Sequence, residues 1–161
     1  MNKPALLKAI MDRLNEELAL SLKAARTAAA GATDEQSKPE GKYDTRGLEL
    51  SYLAAGQGRQ IAEATAAIEQ LRILVLRDFG AKDPIDLGAI ITLEITGVSK
   101  KDQPLYLLAP GGGGTEVKHA GRDVVVITPQ SPLGKELKGR LQGGSFSFGR
   151  DAASHLIVAV C

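Results

Sequence analysis

Five carboxylates crowd one polar stretch of the chain: Asp34, Glu35, Glu40, Asp44 and Glu49. Residues 31–43 hold two glycines and a proline among polar side chains, which predicts a loop. Asp44 precedes the next periodic stretch, so its carboxylate is placed to accept from an N–H in a helix's first turn. The plain reading of the other acids is solvated loop charge. Lys38, Lys42 and Arg46 lie among them and dilute the negative potential.

Other reactive residue types carry less. Gly111-Gly112-Gly113-Gly114 lacks the Lys-Ser/Thr of a phosphate-binding loop and lies between strand-like runs, so it reads as a turn. Asp151, Ser154 and His155 are the residue types of a hydrolytic triad. Adjacent positions on a strand point to opposite faces, however, so Ser154 and His155 would diverge. His119 reads as an exposed loop residue. Cys161 is the single cysteine, with no activating partner in sequence, and it excludes an internal disulfide. The Cys and His ligands of a structural zinc site are absent.

The elements that must position these residues follow from periodicity. Leu7, Met11, Leu14, Leu18, Leu22, Ala25 and Ala29 recur at steps of three and four, predicting a helix over 4–30. Pro4 sits near its start, where a missing N–H costs little. Ile61, Ala64, Ile68, Leu71 and Val75 form a second stripe, predicting a helix over 45–75, with Leu50, Tyr52 and Leu53 extending its apolar surface. Each helix has one stripe to bury and does so most simply against the other, as an antiparallel hairpin with 31–43 at its far tip. Small residues at Ala24 to Ala30 and Ala54-Ala55 allow close helix–helix approach, within the hairpin or between molecules.

After Phe79 to Pro84 the composition changes to Gly, Val, Ile and Pro. Strand-like runs appear at 89–98, 105–108, 123–128, 145–148 and 155–160, with a short helical stretch over 132–137. The fold class is α+β: a helical hairpin over residues 1–78 and a small β-rich domain with one short helix over 84–161.

The run Val126-Ile127-Thr128-Pro129-Gln130-Ser131-Pro132-Leu133-Gly134-Lys135-Glu136-Leu137-Lys138-Gly139-Arg140 resembles the C-terminal signature of the GreA/GreB transcript-cleavage factors. The matching positions are Ser131, Pro132, Leu133, Gly134, Leu137 and Gly139. Residue chemistry gives them structural work: Ser131 can cap a short helix with Pro132 at its first position, and Leu133 and Leu137 would face the sheet. Asp86 to Leu93 is similar to the opening strand of the same domain. The resemblance is one of residues over 83–142 and of architecture over 1–75.

That resemblance implies a coiled-coil hairpin on a domain similar to FK506-binding proteins. It also implies bacterial RNA polymerase as partner, reached through its secondary channel. In the family, two acids at the hairpin tip help hold the second Mg²⁺ of the polymerase active site and promote cleavage of backtracked RNA. A carboxylate can share such an ion with water, phosphate and the host's own aspartates. The counterpart tip here is Asp34, Glu35, Glu40, Asp44 and Glu49, with Asp44 as candidate catalytic acid. The family's Asp-Xaa-Xaa-Glu is broken, because Asp44-Thr45-Arg46-Gly47 lacks the Glu. Channel binding therefore carries over better than cleavage. No enzyme activity, cofactor or metal of its own is implied beyond that shared Mg²⁺.

The bulk numbers agree with a protein partner. Net charge is +1 from 20 basic and 19 acidic residues, which lacks the basic excess of a sequence-specific DNA binder. Hydrophobic residues make up 43% of 161 positions, enough for a packed core. With no apolar run of spanning length and no secretory pattern, the expectation is a cytoplasmic protein with no membrane role. Sequence leaves its oligomeric state open. A peptidyl-prolyl isomerase, the activity suggested by the second domain's fold, would need an aromatic-walled pocket, and only Tyr106, Phe146 and Phe148 lie in that half.

Overall fold

The computed structural model describes residues 2–33, 46–97, 99, 103–149 and 153–161, apart from the side chains of 31–33, 46–52 and 54. Helix α1 spans Lys3–Thr33 and α2 spans Arg46–Arg72. Asn2 starts α1: its Oδ1 accepts from the Ala5 N–H at 3.1 Å. Ion pairs one turn apart, Lys8–Asp12 at 2.6 Å and Arg13–Glu17 at 2.9 Å, run along its exposed side. The helix continues through Thr33, into the stretch expected as loop. Ala28 to Thr33 holds four alanines and one Gly, and nothing in it forces a stop.

The predicted stripe holds at its base and drifts above it. Leu7 and Leu14 are buried and Met11 and Leu18 half-buried, but Leu22 is 39% exposed and Ala29 exposed. Ser21, Ala25 and Ala28 take the inward positions instead. Two straight helices keep the 3.6-residue period, so the facing positions move round the helix as it ascends. Leu6 and Ile10 are also buried, because the base of α1 has a second neighbour in the sheet.

On α2 the inward positions are Gln57, Ile61, Ala64, Ala67, Ile68 and Leu71, while Leu53 is exposed. This helix stops at Arg72, three residues before the predicted end. The Leu74 N–H bonds to the Leu71 carbonyl at 3.2 Å, and the chain then leaves the helix. Leu74 and Leu76 turn inward, and Val75, expected on the stripe, is exposed.

Six strands form one mixed sheet: β1 Ile90–Ile95, β2 Leu105–Leu108, β3 Glu116–His119, β4 Arg122–Ile127, β5 Ser145–Phe148 and β6 Ala153–Val160. Helix α3, Pro132–Leu137, lies between β4 and β5. The spatial order is β3-β4-β2-β1-β6-β5, with β2 and β4 parallel and every other neighbour pair antiparallel. Strand β3 was not anticipated, and His119, expected in an exposed loop, pairs with Arg122 and is half-buried. Glu116-Val117-Lys118-His119 carries a single apolar side chain, so pairing to β4 makes it a strand where pattern gives no signal. Ala120 and Gly121 form its hairpin turn, both at positive φ (51° and 76°).

The two faces of the sheet are covered differently. Leu6, Leu7, Ile10 and Leu14 of α1 and Ala67, Ile68 and Leu71 of α2 pack with Ile90, Leu105, Leu107, Val124 and Val126. On the opposite side Phe79, Ile85, Ile91, Leu93, Leu108, Leu137, Phe146 and Ile157 make a second core. The base of the helix pair thus shares one core with the sheet. Among the described residues, no helix is long and apolar enough to cross a membrane.

Candidate functional site

Four of the five tip acids, Asp34, Glu35, Glu40 and Asp44, lie outside the described residues, as does the side chain of Glu49. What the structure describes is how the ends of that segment are held. Thr33 closes α1 and Arg46 opens α2. Inward positions below them are small, Ala28 and Ala25 on α1 and Ala64 on α2, which lets the two backbones run close. The packing with the sheet reaches up α1 as far as Leu18, so the helices project beyond their seat. From Leu18 to Thr33 that projection is roughly 22 Å at ~1.5 Å per residue.

The signature segment is built around one carbonyl. The Thr128 oxygen accepts from the Ser131 N–H at 3.0 Å and from the Ser131 hydroxyl at 2.7 Å. Ser131 Oγ in turn accepts from the Gly134 N–H at 3.1 Å, which caps α3. Pro132 follows the cap, where helices tolerate a missing donor. A Cβ on Gly134 would lie 1.9 Å from the Thr128 oxygen, so only glycine fits. Leu137 is fully buried and Leu133 half-buried, both against the second core. Gly139 has φ +82° and its N–H bonds to the Ile85 carbonyl at 2.8 Å, which ties the end of α3 to the approach to β1. Arg140 grips Glu136 at 2.8 Å, and its guanidinium lies 5.1 Å from the centre of the Phe146 ring.

The glycine run does its work against the helices. A Cβ on Gly111 would lie 2.4 Å from Gln70 Oε1 and 3.0 Å from the Ala67 Cα. On Gly112, which has φ +74°, it would lie 3.2 Å from Leu14. The turn therefore wedges between hairpin and sheet, and backbone approach explains the run better than a ligand does. An open cleft of about 710 Å³ lies alongside, lined by Glu17, Leu20, Ser21, Gln60, Glu63 and the turn. The signal in sequence was the run itself, but its partners, Ala67 and Gln70, lie some 40 residues away.

Lys3 and Phe79 were not singled out in sequence. Lys3 is buried, and its Nζ donates to the carbonyl oxygens of Arg77 and Gly88. It lies 5.0 Å from the centre of the Phe79 ring, and the Arg77 guanidinium lies 3.9 Å from the same ring. Burial pulls the Lys3 pKa below its ordinary value. Charge at Cys161 and Asp78 partly offsets this, while Arg77 adds to the lowering. Burial also raises the Tyr106 pKa.

The hydrolytic residue types do not assemble. Ser154 is exposed, and Asp151 lies outside the described residues. His155 is buried, stacked on Phe146 at 5.2 Å and edge-on to Phe148 at 6.0 Å, with Nδ1 2.8 Å from the Ala153 carbonyl. Both phenylalanine rings are thereby occupied by the histidine, where an isomerase pocket would need them free. Cys161 is exposed and pairs through its backbone with Ile90 at 2.8 and 3.0 Å. Among the described residues, no group of three or more His, Cys, Asp or Glu could hold a metal ion.

No family model matches the chain, and no curated protein does. Solved structures are similar over nearly its whole length. The GreA factor homolog 1 (Gfh1) of Thermus thermophilus has 23% identity, covers 96% of each chain and gives a TM-score of 0.37. Gfh1 of Thermus aquaticus has 23% identity, covers 95% of this chain and 94% of its own, and gives the same TM-score of 0.37. A further structure, described as the transcription factor Gfh1, has 18% identity over 95% and 94%, again at a TM-score of 0.37. The structural neighbours of this α+β chain are thus GreA homologues.

Proposed function

We propose that this protein binds bacterial RNA polymerase and acts through the secondary channel, modulating initiation or elongation by occupying it. The observation that carries the reading is the Ser131–Gly139 segment. Four of the six positions in which it resembles the Gre signature have a geometric requirement met here. Ser131 caps α3, Gly134 clears the Thr128 oxygen, Leu137 fills the core and Gly139 holds a positive φ. The projecting helix pair supports the same reading, since a channel ligand needs a narrow rod standing off its body.

In this reading the protein has no catalysis of its own. At most Asp44 shares a Mg²⁺ with the polymerase's aspartates and stimulates the polymerase's own cleavage. Asp44-Thr45-Arg46-Gly47 lacks the second acid of the family pattern, and Lys38, Lys42 and Arg46 lower the negative potential a divalent cation needs. Regulation by occupancy is therefore favoured over cleavage. An FK506-binding-like body that serves only as an interaction module is the alternative.

The test is a pull-down with bacterial RNA polymerase, then cleavage of a stalled, backtracked complex by wild type and Asp44→Ala. Binding without cleavage is the expected result. Cleavage that disappears in the variant would make this a working cleavage factor. Failure to bind would overturn the polymerase reading.

A further inference from the structure

The cleft between the helix pair and the glycine turn holds polar groups that the packing around it does not use. Thr115 lines it and is only 6% exposed, and its hydroxyl bonds to no described residue. No fully enclosed side-chain oxygen of the described residues lacks a partner, so this hydroxyl keeps access to the cleft. The Gly112 and Gly113 N–H groups beside it donate to no described residue either. Two carboxylates line the same space, Glu17 from α1 and Glu63 from α2. Glu63 has no ion pair with a described residue, and Glu17 is held by Arg13 of its own helix at 2.9 Å, in a pair about half exposed to solvent. No Lys or Arg lines the cleft, so its potential is negative. Leu20, also lining it, is 68% exposed.

We propose that this cleft is a docking site for an arginine-bearing segment of another protein. Charge and hydrogen-bonding pattern together select that occupant. The carboxylates accept from a guanidinium, whose planar fork engages more than one acceptor at a time. The unused donors at Gly112, Gly113 and Thr115 need acceptors, and the peptide carbonyls flanking an arginine supply them. A bare cation would use the acids and leave those donors idle. A nucleic acid would set its phosphates against the two carboxylates. Leu20 offers apolar surface to the aliphatic stem of the arginine. A volume of about 710 Å³ admits that side chain with a short stretch of its backbone. The inference rests on the cleft alone and is independent of polymerase binding.

Amide NMR spectra of the isotope-labelled full chain, titrated with acetyl-Leu-Arg-Leu-amide, test it. Saturable shifts are expected at the Gly112, Gly113 and Thr115 amides. Glu63→Gln and Glu17→Gln should each raise the dissociation constant about tenfold. The same peptide with citrulline, the uncharged counterpart of arginine, should bind as weakly as those variants allow. Glu69→Gln, on α2 but outside the cleft, should leave binding unchanged. Circular dichroism with thermal melting confirms that each variant is folded. Absent shifts, or shifts that the citrulline peptide reproduces at equal affinity, overturn the proposal. So does an equal loss in Glu69→Gln, since general charge attraction would then suffice. Free arginine amide binding as tightly as the peptide would make the occupant a small cation rather than a protein segment. Shifts at the same amides on raising the concentration of the chain alone would make it a second copy. Either result overturns the assignment.

Discussion

Gly134 packs on the carbonyl of Thr128 so closely that a methyl group in place of its hydrogen would lie 1.9 Å from the oxygen. The same oxygen accepts two hydrogen bonds from Ser131 and is fixed by them. Neither α3 nor the end of β4 can retreat without uncovering Leu137.

Gly134→Ala is accordingly expected to cost about 3 kcal/mol, at the high end for a single added methyl, because backbone blocks it. In a chain of this size that is a fall of roughly 6–12 °C in Tm, read by calorimetry. A loss within 1 °C would show that the segment is free to shift and that the glycine has another purpose.

Ser131→Ala removes the cap of α3 and one of the two donors to Thr128. About 1–2 kcal/mol should be lost, read as a lower urea midpoint at unchanged slope. Ser131→Asp can keep the acceptor for the Gly134 N–H but not the hydroxyl donor, and should recover only part of the loss.

Gly111→Ala tests how the hairpin is seated. The added Cβ meets the flexible end of Gln70, which can swing away, and the Ala67 Cα at 3.0 Å, which cannot. A loss of about 1–2 kcal/mol is expected. Pairing it with Gln70→Ala should return only the share owed to the glutamine. Complete rescue would mean that the helix backbone does not limit the approach.

Alkaline stability should carry two opposite slopes. Lys3 is buried with its pKa lowered from 10.5, so the unfolded chain binds more protons over the window from that lowered value up to 10.5. Stability from this group therefore rises with pH through that window. Tyr106 has its pKa raised from 10.0 by burial, so the folded chain holds its proton longer and stability falls as pH rises past 10.0. Denaturation across pH 8–11, as an approximate range, should show the rise vanish in Lys3→Met and the fall vanish in Tyr106→Phe. Unchanged slopes in both variants would assign the alkaline behaviour to other groups.

Local pattern determined much of this protein. The helix pair, the change to strands after Phe79, the cap at Ser131 and the helix after Pro132 were legible because each depends on residues a few positions apart. Periodicity also marked Leu7, Leu14, Ile68 and Leu71 as inward. It misplaced Leu22, Ala29 and Val75, whose directions depend on how the helices ascend and where α2 ends. Tertiary structure decided the rest. Glu116 to His119 is a strand because β4 offers it an edge. The parallel pairing of β2 with β4 joins segments with a strand and a turn between them. Gly111 is constrained by Gln70 across the fold, and Lys3 by Arg77 and Gly88. The tip acids, named from residue type, lie outside the described residues. Side-chain pattern records the periodicity of one element, whereas burial is settled by which distant element arrives to cover it.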